Sequence, residues 1–150
     1  METRYEYHAT ATWTEHRRGL VETESIARTI NFSAPPEFGG EPGLWTPEHL
    51  LVAAGGTCFV STFRAVAELS KVEVTSMRVA VEGILEKTDG GFRFTKLIVR
   101  PTVEIPAAQD TERIIRLLHK AERSCLVSRS LNSEVALEPI VMAGSLTAVG

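Results

Sequence analysis

The residues of this 150-residue chain whose types bear most directly on chemistry are two cysteines, Cys58 and Cys125. A thiolate can attack a peroxide oxygen and become a sulfenic acid, which a second thiol then converts to a disulfide before further oxidation. Those steps need two thiols that can meet, and only the fold can bring together residues this far apart in sequence. Taken singly, each cysteine reads first as a small core hydrophobe, because free cysteine is among the most buried residue types. Cys58 has one distinguishing context: Gly55 and Gly56 precede it in an apolar helical stretch, where each glycine costs about 1 kcal/mol relative to alanine. That cost is offset where another backbone or a ligand must approach closely, which places a cleft or a helix crossing beside the thiol.

Forming a thiolate near neutral pH calls for a nearby cation, and the departing oxygen needs a proton. An arginine oriented by a carboxylate is the expected company. Arg17 and Arg18, in the first turn, and Glu48, at a helix start, are the candidates. Glu48 precedes Cys58 by ten residues, which is ~15 Å along one straight helix. Either the helix breaks at Gly55-Gly56, or a second chain related by a two-fold axis supplies the carboxylate. The apolar helix circumference and the glycines favour the second arrangement. Taken alone, Glu48 reads as a favourable first-turn charge.

His8, His16, His49 and His119 do not pair at metal-ligand spacing, and two cysteines without such partners make a poor zinc site. Neither Gly39-Gly40 nor Gly55-Gly56 forms a phosphate-binding loop after a strand, so no nucleotide cofactor is indicated. Trp13, Trp45, Phe32, Phe38, Phe59 and Phe63 suit an apolar substrate pocket, and equally suit a core.

The elements that must position these groups follow from patterning. Residues 5–30 alternate apolar and polar in short stretches broken near His16-Arg17-Arg18-Gly19, which predicts antiparallel strands and a turn. The Pro- and Gly-rich segment 31–45 is a long loop. Thr46 as N-cap, Pro47 at the first helical position and Glu48 in the first turn open a helix running to about Lys71. Its apolar circumference predicts a central helix buried on more than one side. Strands follow over Met77–Lys87 and Phe92–Ile105, joined at Asp89-Gly90, with Pro101 suggesting an edge or a bend. A helix over Asp110–Ser124 puts Ile114, Leu118, Ala121 and Cys125 on one face, and a strand-like stretch, Glu134–Val141, follows a Ser-rich connection. The order predicts a single α+β domain spanning 1–150.

With 43% apolar residues the chain can build one core, and its net charge of -3 with interspersed signs leaves no footprint for nucleic acid or an anionic membrane. The start lacks a signal-peptide layout and no apolar run approaches the roughly 20 residues of a membrane span, so a soluble cytoplasmic protein is expected. In that reducing compartment a standing structural disulfide is not expected.

The segment Thr46-Pro-Glu-His-Leu-Leu-Val-Ala-Ala-Gly-Gly-Thr-Cys58-Phe, followed much later by Cys125 at a helix end, resembles the OsmC/Ohr family of hydroperoxide reductases, and the likeness extends over the whole chain. The resemblance implies an OsmC-like fold, with antiparallel sheets around a long central helix in an intertwined homodimer. It implies reduction of organic hydroperoxides without metal or haem, at sites on the dimer interface, with electrons from a dithiol such as a lipoyl group. It further implies that Cys58 is the attacking thiol, Cys125 the resolving thiol, and Glu48 the carboxylate orienting an arginine, here Arg17 or Arg18. Two departures mark a divergent branch: the loop Ala34–Gly40 contains no arginine, and Cys125 is followed by Leu126-Val127-Ser128 rather than by Pro and an aromatic. A binding or redox-sensing module on the same fold, without turnover, is the competing reading.

Overall fold

The structure is a computed structural model and describes residues 3–144. The chain forms two compact units, residues 1–51 and 52–150.

In the first unit, β1 (Thr10–Glu15), β2 (Arg18–Thr23) and β3 (Ile26–Ser33) make an antiparallel sheet in chain order. The turn between β1 and β2 is tight. His16 takes a positive φ of 47° there, and the Trp13 indole N–H donates to the His16 carbonyl at 2.8 Å. The long loop is ordered rather than loose: a 3-10 turn occupies Pro36–Phe38, Ser33 N–H donates to the Trp45 carbonyl, and Glu41 N–H donates to the buried Ser33 hydroxyl. Gly40 packs so tightly against Ala34 that a β-carbon there would collide with its carbonyl, so only glycine fits.

Helix α1 (Pro47–Leu69) starts in the first unit, where the Thr46 hydroxyl accepts the His49 N–H at 3.0 Å as an N-cap. It runs unbroken through Gly55-Gly56. It stops where Lys71 turns left-handed, with the Arg113 guanidinium donating to the Ser70 carbonyl at 2.8 Å.

In the second unit, β4 (Ser76–Thr88) and β5 (Gly91–Ile105) form a long antiparallel hairpin through Asp89-Gly90, with Gly91 at φ 110°. Helix α2 (Thr111–Ser124) is capped by Asp110, whose carboxylate accepts the Glu112 N–H. Helix α3 (Leu126–Arg129) is a single turn, and β6 (Glu134–Leu137) and β7 (Ile140–Ala143) complete the sheet. Both of these last strands pair with β5 in parallel, so the second sheet is mixed rather than wholly antiparallel.

Pro101 corrects the expectation of an edge. Its strand, β5, is central, with β4 on one side and β6 then β7 on the other. The β6 ladder ends opposite Val99 and the β7 ladder begins opposite Thr102. Pro101 falls in that interruption, where its missing N–H costs no ladder bond. The expected single last strand is broken at Glu138-Pro139 for the same reason.

The core of this unit joins Phe59, Phe63 and Ala67 of α1, Val99, Val103 and Ile105 of β5, and Ile114, Leu118 and Ala121 of α2. Gly55, Phe59, Phe63 and Ala67 recur every four residues, so α1 buries one stripe rather than several sides. The sheet offers a single surface to the helix, and Leu69 stays 85% exposed. Against the expectation that no apolar run reaches the length of a membrane span, helix α1 is long and apolar enough to cross one, a test that core helices of soluble proteins also pass.

Candidate functional site

Cys58 lies on α1 beside the sheet. Its neighbours Gly55 and Gly56 are less crowded than the sequence suggests: a β-carbon at Gly55 would stand an ordinary 3.4 Å from Leu97 Cδ2, and one at Gly56 a somewhat tight 3.3 Å from Val81 Cγ2. The sheet side chains, rather than another helix, fill that space. Gly83 on β4 is tighter still, with Val52 Cγ2 2.7 Å and Phe94 Cε1 2.8 Å from where its β-carbon would be.

Cys125 is placed by α2. Gln109, just before that helix, accepts the Glu73 N–H through its side-chain oxygen at 2.7 Å and donates to the Glu73 carbonyl at 2.6 Å, which ties the start of α2 to the chain leaving α1. The buried stripe of Ile114, Leu118 and Ala121 then carries the helix along the core to Cys125. There the backbone turns extended (φ -66°, ψ 117°), closing α2 and opening α3 at one residue.

Both thiols are free, Cys58 half-buried and Cys125 fully buried, and they lie close enough for each to bear on the other's ionisation. Their environments act in opposite senses. Burial pushes the Cys58 thiol up, but the Val127 N–H, the Cys125 thiol, the Thr62 hydroxyl and the Leu126 N–H together outweigh it and bring Cys58 below the ordinary thiol range. Thr62 Oγ1 stands 3.9 Å from Cys58 Sγ, one helical turn further on. Burial also pushes the Cys125 thiol up; the Ser128 hydroxyl and N–H pull against it, Cys58 adds to the rise, and Cys125 stays above its ordinary value. The half-buried sulfur is therefore the easier to ionise, and the buried one holds its proton.

The other candidates are placed as follows. Arg18 is engaged within the first unit, pairing with Glu15 at 3.3 Å and Glu41 at 3.0 Å. The Arg17 carbonyl accepts the Ala34 N–H, and its guanidinium makes no ion pair among the described residues. Glu48 sits in the first turn of α1, and its Oε1 is buried with no hydrogen-bond partner among the described residues. Neither arginine pairs with Glu48 in the single chain. His49 bonds the Thr46 hydroxyl through Nδ1 at 2.7 Å and meets Trp45 edge-on at 6.3 Å between ring centroids. Gly43, Leu44, Trp45 and His49 line an open cavity of about 290 Å³.

Sequence reasoning missed Thr62, Leu126, Val127 and Ser128. Thr62 was open to discovery, since a hydroxyl four residues after a helical cysteine shares its face. The Leu126 and Val127 amides were not, because they reach Cys58 only through the turn at Cys125.

The sequence profile of the family described as "OsmC-like protein" matches residues 40–139. An uncharacterized protein of Bacillus subtilis, YmaD, is 34% identical over 138 residues, 89% of this chain and 91% of that protein. Peroxiredoxin OsmC of Escherichia coli is 30% identical over 122 residues, 81% of this chain and 84% of that protein. Among solved structures, an organic hydroperoxide resistance protein OsmC from Legionella pneumophila superimposes with a TM-score of 0.72 at 29% identity, covering 95% of this chain and all of that one. An OsmC-like protein of unknown function from Vibrio cholerae shares the fold with a TM-score of 0.83 at 24% identity, over 91% of this chain and all of that one. The chain belongs to the OsmC-like family, in the OsmC/Ohr group of peroxiredoxin-like redox proteins.

Proposed function

We propose that this protein is a thiol peroxidase that reduces organic hydroperoxides through Cys58 and Cys125. The observation that carries the proposal is the thiol pair itself, close enough to bear on each other's ionisation, with Cys58 eased toward the thiolate and Cys125 held as the thiol. The Cys58 thiolate attacks the terminal oxygen of the hydroperoxide. An S–O bond forms as the O–O bond breaks, giving Cys58 sulfenic acid and an alkoxide that takes a proton to leave as the alcohol. Cys125 then attacks the sulfenic sulfur. An S–S bond forms, the S–O bond breaks, and hydroxide leaves with the thiol proton as water. A dithiol, of lipoyl type on the family resemblance, reduces the disulfide and becomes a disulfide itself.

In this reading the active unit is a two-fold dimer. Three features of the single chain support it: the partnerless Oε1 of Glu48, the wholly exposed β1 with Trp13 73% accessible, and the faces of α1 left outside its one buried stripe. Helix α1 does not break at Gly55-Gly56, so Glu48 serves the Cys58 of the other subunit, ordering an arginine there. Arg17 is the better candidate for that cation, because Glu15 and Glu41 already hold Arg18. The family match at residues 40–139 crosses the boundary between the two units, which supports reading 1–150 as one working domain.

The test is consumption of cumene hydroperoxide by the purified protein with excess dithiol. Wild type turns over many times, Cys58→Ser does not, and an unchanged rate in that variant refutes the reading. One observation favours redox sensing instead: the groups that act most strongly on Cys58 among the described residues are neutral. A sensor forms the same disulfide once and shows no sustained turnover.

A further inference from the structure

Resting for its chemistry on that reading, we propose that the solvent face of α2 is a docking surface for an acidic protein, the one that brings the reducing dithiol. Residues 113–129 hold five lysines and arginines against a single acid, Glu122, in a chain whose net charge is -3. At about 100° per residue, Arg116, Lys120 and Arg123 fall on the side of α2 opposite its buried Ile114, Leu118 and Ala121, and all three are exposed. Arg18, Arg64 and Arg100 each meet a carboxylate on the surface, whereas these three cations make no ion pair among the described residues.

Steps of four and three along one face set each cation beside the next, and like charges at those spacings oppose helix formation. Arg123, in the last turn, suits the helix dipole; Arg116 and Lys120, further back, draw little from it. The repulsion is relieved when an anionic surface lies across the face. Past the helix end the charge continues, with exposed Arg129 at the end of α3 and Arg93 of β5 donating to the Asn132 carbonyl at 3.4 Å in the loop that follows. A two-fold contact centred on this face would set cations against cations, so it does not suit the subunit interface. An acidic protein fits it better than a nucleic acid or an anionic membrane, whose extended charge would also meet the acidic remainder of the chain.

The face leads toward Cys125, whose sulfur is buried, so the half-buried Cys58 sulfur is the one an incoming thiolate attacks. The partner's thiolate bonds Cys58 Sγ, the Cys58–Cys125 bond breaks, and Cys125 takes a proton. The partner's second thiol then attacks its own bonded sulfur, releasing Cys58 and leaving the partner as the disulfide. The experiment uses two synthetic peptides with two cysteines each, one flanked by glutamates and one by glutamines, with dithiothreitol as an uncharged dithiol. Wild type is compared with a protein carrying Arg116→Gln, Lys120→Gln and Arg123→Gln together. At low salt the acidic peptide should reduce oxidised wild type roughly tenfold faster than the neutral one, the low end of electrostatic steering. That advantage should vanish in the triple variant and at high salt, while turnover with dithiothreitol is the same in both proteins. Equal rates with the two peptides, or an advantage that survives in the variant, overturn the docking surface. Single-stranded DNA that displaces the labelled acidic peptide as readily as polyglutamate of equal charge overturns the choice of a protein partner. Anisotropy of that peptide, alkylated so that it carries no thiol, reads docking alone: binding to wild type that the variant loses supports the surface. Wild type that fails to turn over with dithiothreitol overturns the peroxidase reading, and with it the delivery of electrons.

Discussion

Cys58 on α1 and Cys125 at the turn between α2 and α3 lie close enough to bear on each other's ionisation, and the net effect of their surroundings is opposite, the half-buried sulfur toward the thiolate and the buried one toward the thiol. An inert pair of core cysteines has no need of that asymmetry. A nucleophile and its resolving partner do.

The first consequence is a pH dependence with a defined sign. Burial raises the Cys58 pKa and the Val127, Cys125, Thr62 and Leu126 donors lower it further than burial raises it, so the thiolate persists to lower pH than in a free cysteine. Alkylation of Cys58 by iodoacetamide should rise with pH and level off, with its midpoint below the ~8.5 of an unperturbed thiol. In Cys125→Ala, which removes one donor, the midpoint should move up. A midpoint at or above the free-thiol value removes the basis for Cys58 as nucleophile.

Thr62 should matter for the first step. Its hydroxyl, 3.9 Å from Cys58 Sγ, stabilises the thiolate, and Thr62→Val keeps the shape without the donor. The rate of peroxide attack at neutral pH should fall by roughly three- to tenfold, the worth of a modest hydrogen bond. The loss should shrink at high pH, where Cys58 is ionised in either protein. A loss independent of pH would mean that Thr62 acts by packing.

Packing at the helix and sheet gives a prediction separate from chemistry. At Gly83 an added methyl group would meet Val52 Cγ2 at 2.7 Å and Phe94 Cε1 at 2.8 Å, so Gly83→Ala should destabilise the fold by about 1–3 kcal/mol. At Gly55 the same methyl meets Leu97 Cδ2 at an ordinary 3.4 Å, and the helix gains up to about 1 kcal/mol from replacing glycine. Denaturant titration of the two variants should show opposite signs. Equal destabilisation would mean that α1 sits closer to the sheet at Gly55 than described.

The dimer reading is tested by complementation. Cys58→Ser lacks the nucleophile and Glu48→Gln lacks the orienting carboxylate, so each alone should be inactive or nearly so. If Glu48 serves the opposite subunit, co-expressed subunits form mixed dimers with one intact site, recovering about a quarter of wild-type sites on random pairing. No recovery, in mixed dimers verified by mass, would mean that Glu48 does not serve the opposite subunit, and an active Glu48→Gln would place it outside the site.

Much of this was legible in sequence because it depends on local spacing. Thr46-Pro47-Glu48 announces α1, Asp89-Gly90 the hairpin, and Ile114, Leu118, Ala121 and Cys125 the inner face of α2. Of the edge or bend that Pro101 suggested, the edge is not found, because a central strand tolerates proline where its neighbours change, and the handover from β6 to β7 is a property of the assembled sheet. The extent of α1 burial misled for a related reason: apolar composition shows which faces avoid water, and the single chain supplies a surface for only one stripe. At the site, the two cysteines stand out by residue type. The Val127 and Leu126 amides do not, because every residue carries an N–H and only the turn at Cys125 aims these two at sulfur.

The central claim is that the two sulfurs form one redox unit, and a peroxide titration of the reduced protein tests it most directly. Sub-stoichiometric to equimolar cumene hydroperoxide is added and the digested protein is analysed by mass. The account predicts that the peptides of Cys58 and Cys125 become joined, in proportion to peroxide consumed, with the loss of two hydrogens. Cys58 advancing to sulfinic acid while Cys125 remains a free thiol, or both thiols surviving equimolar peroxide, would contradict it.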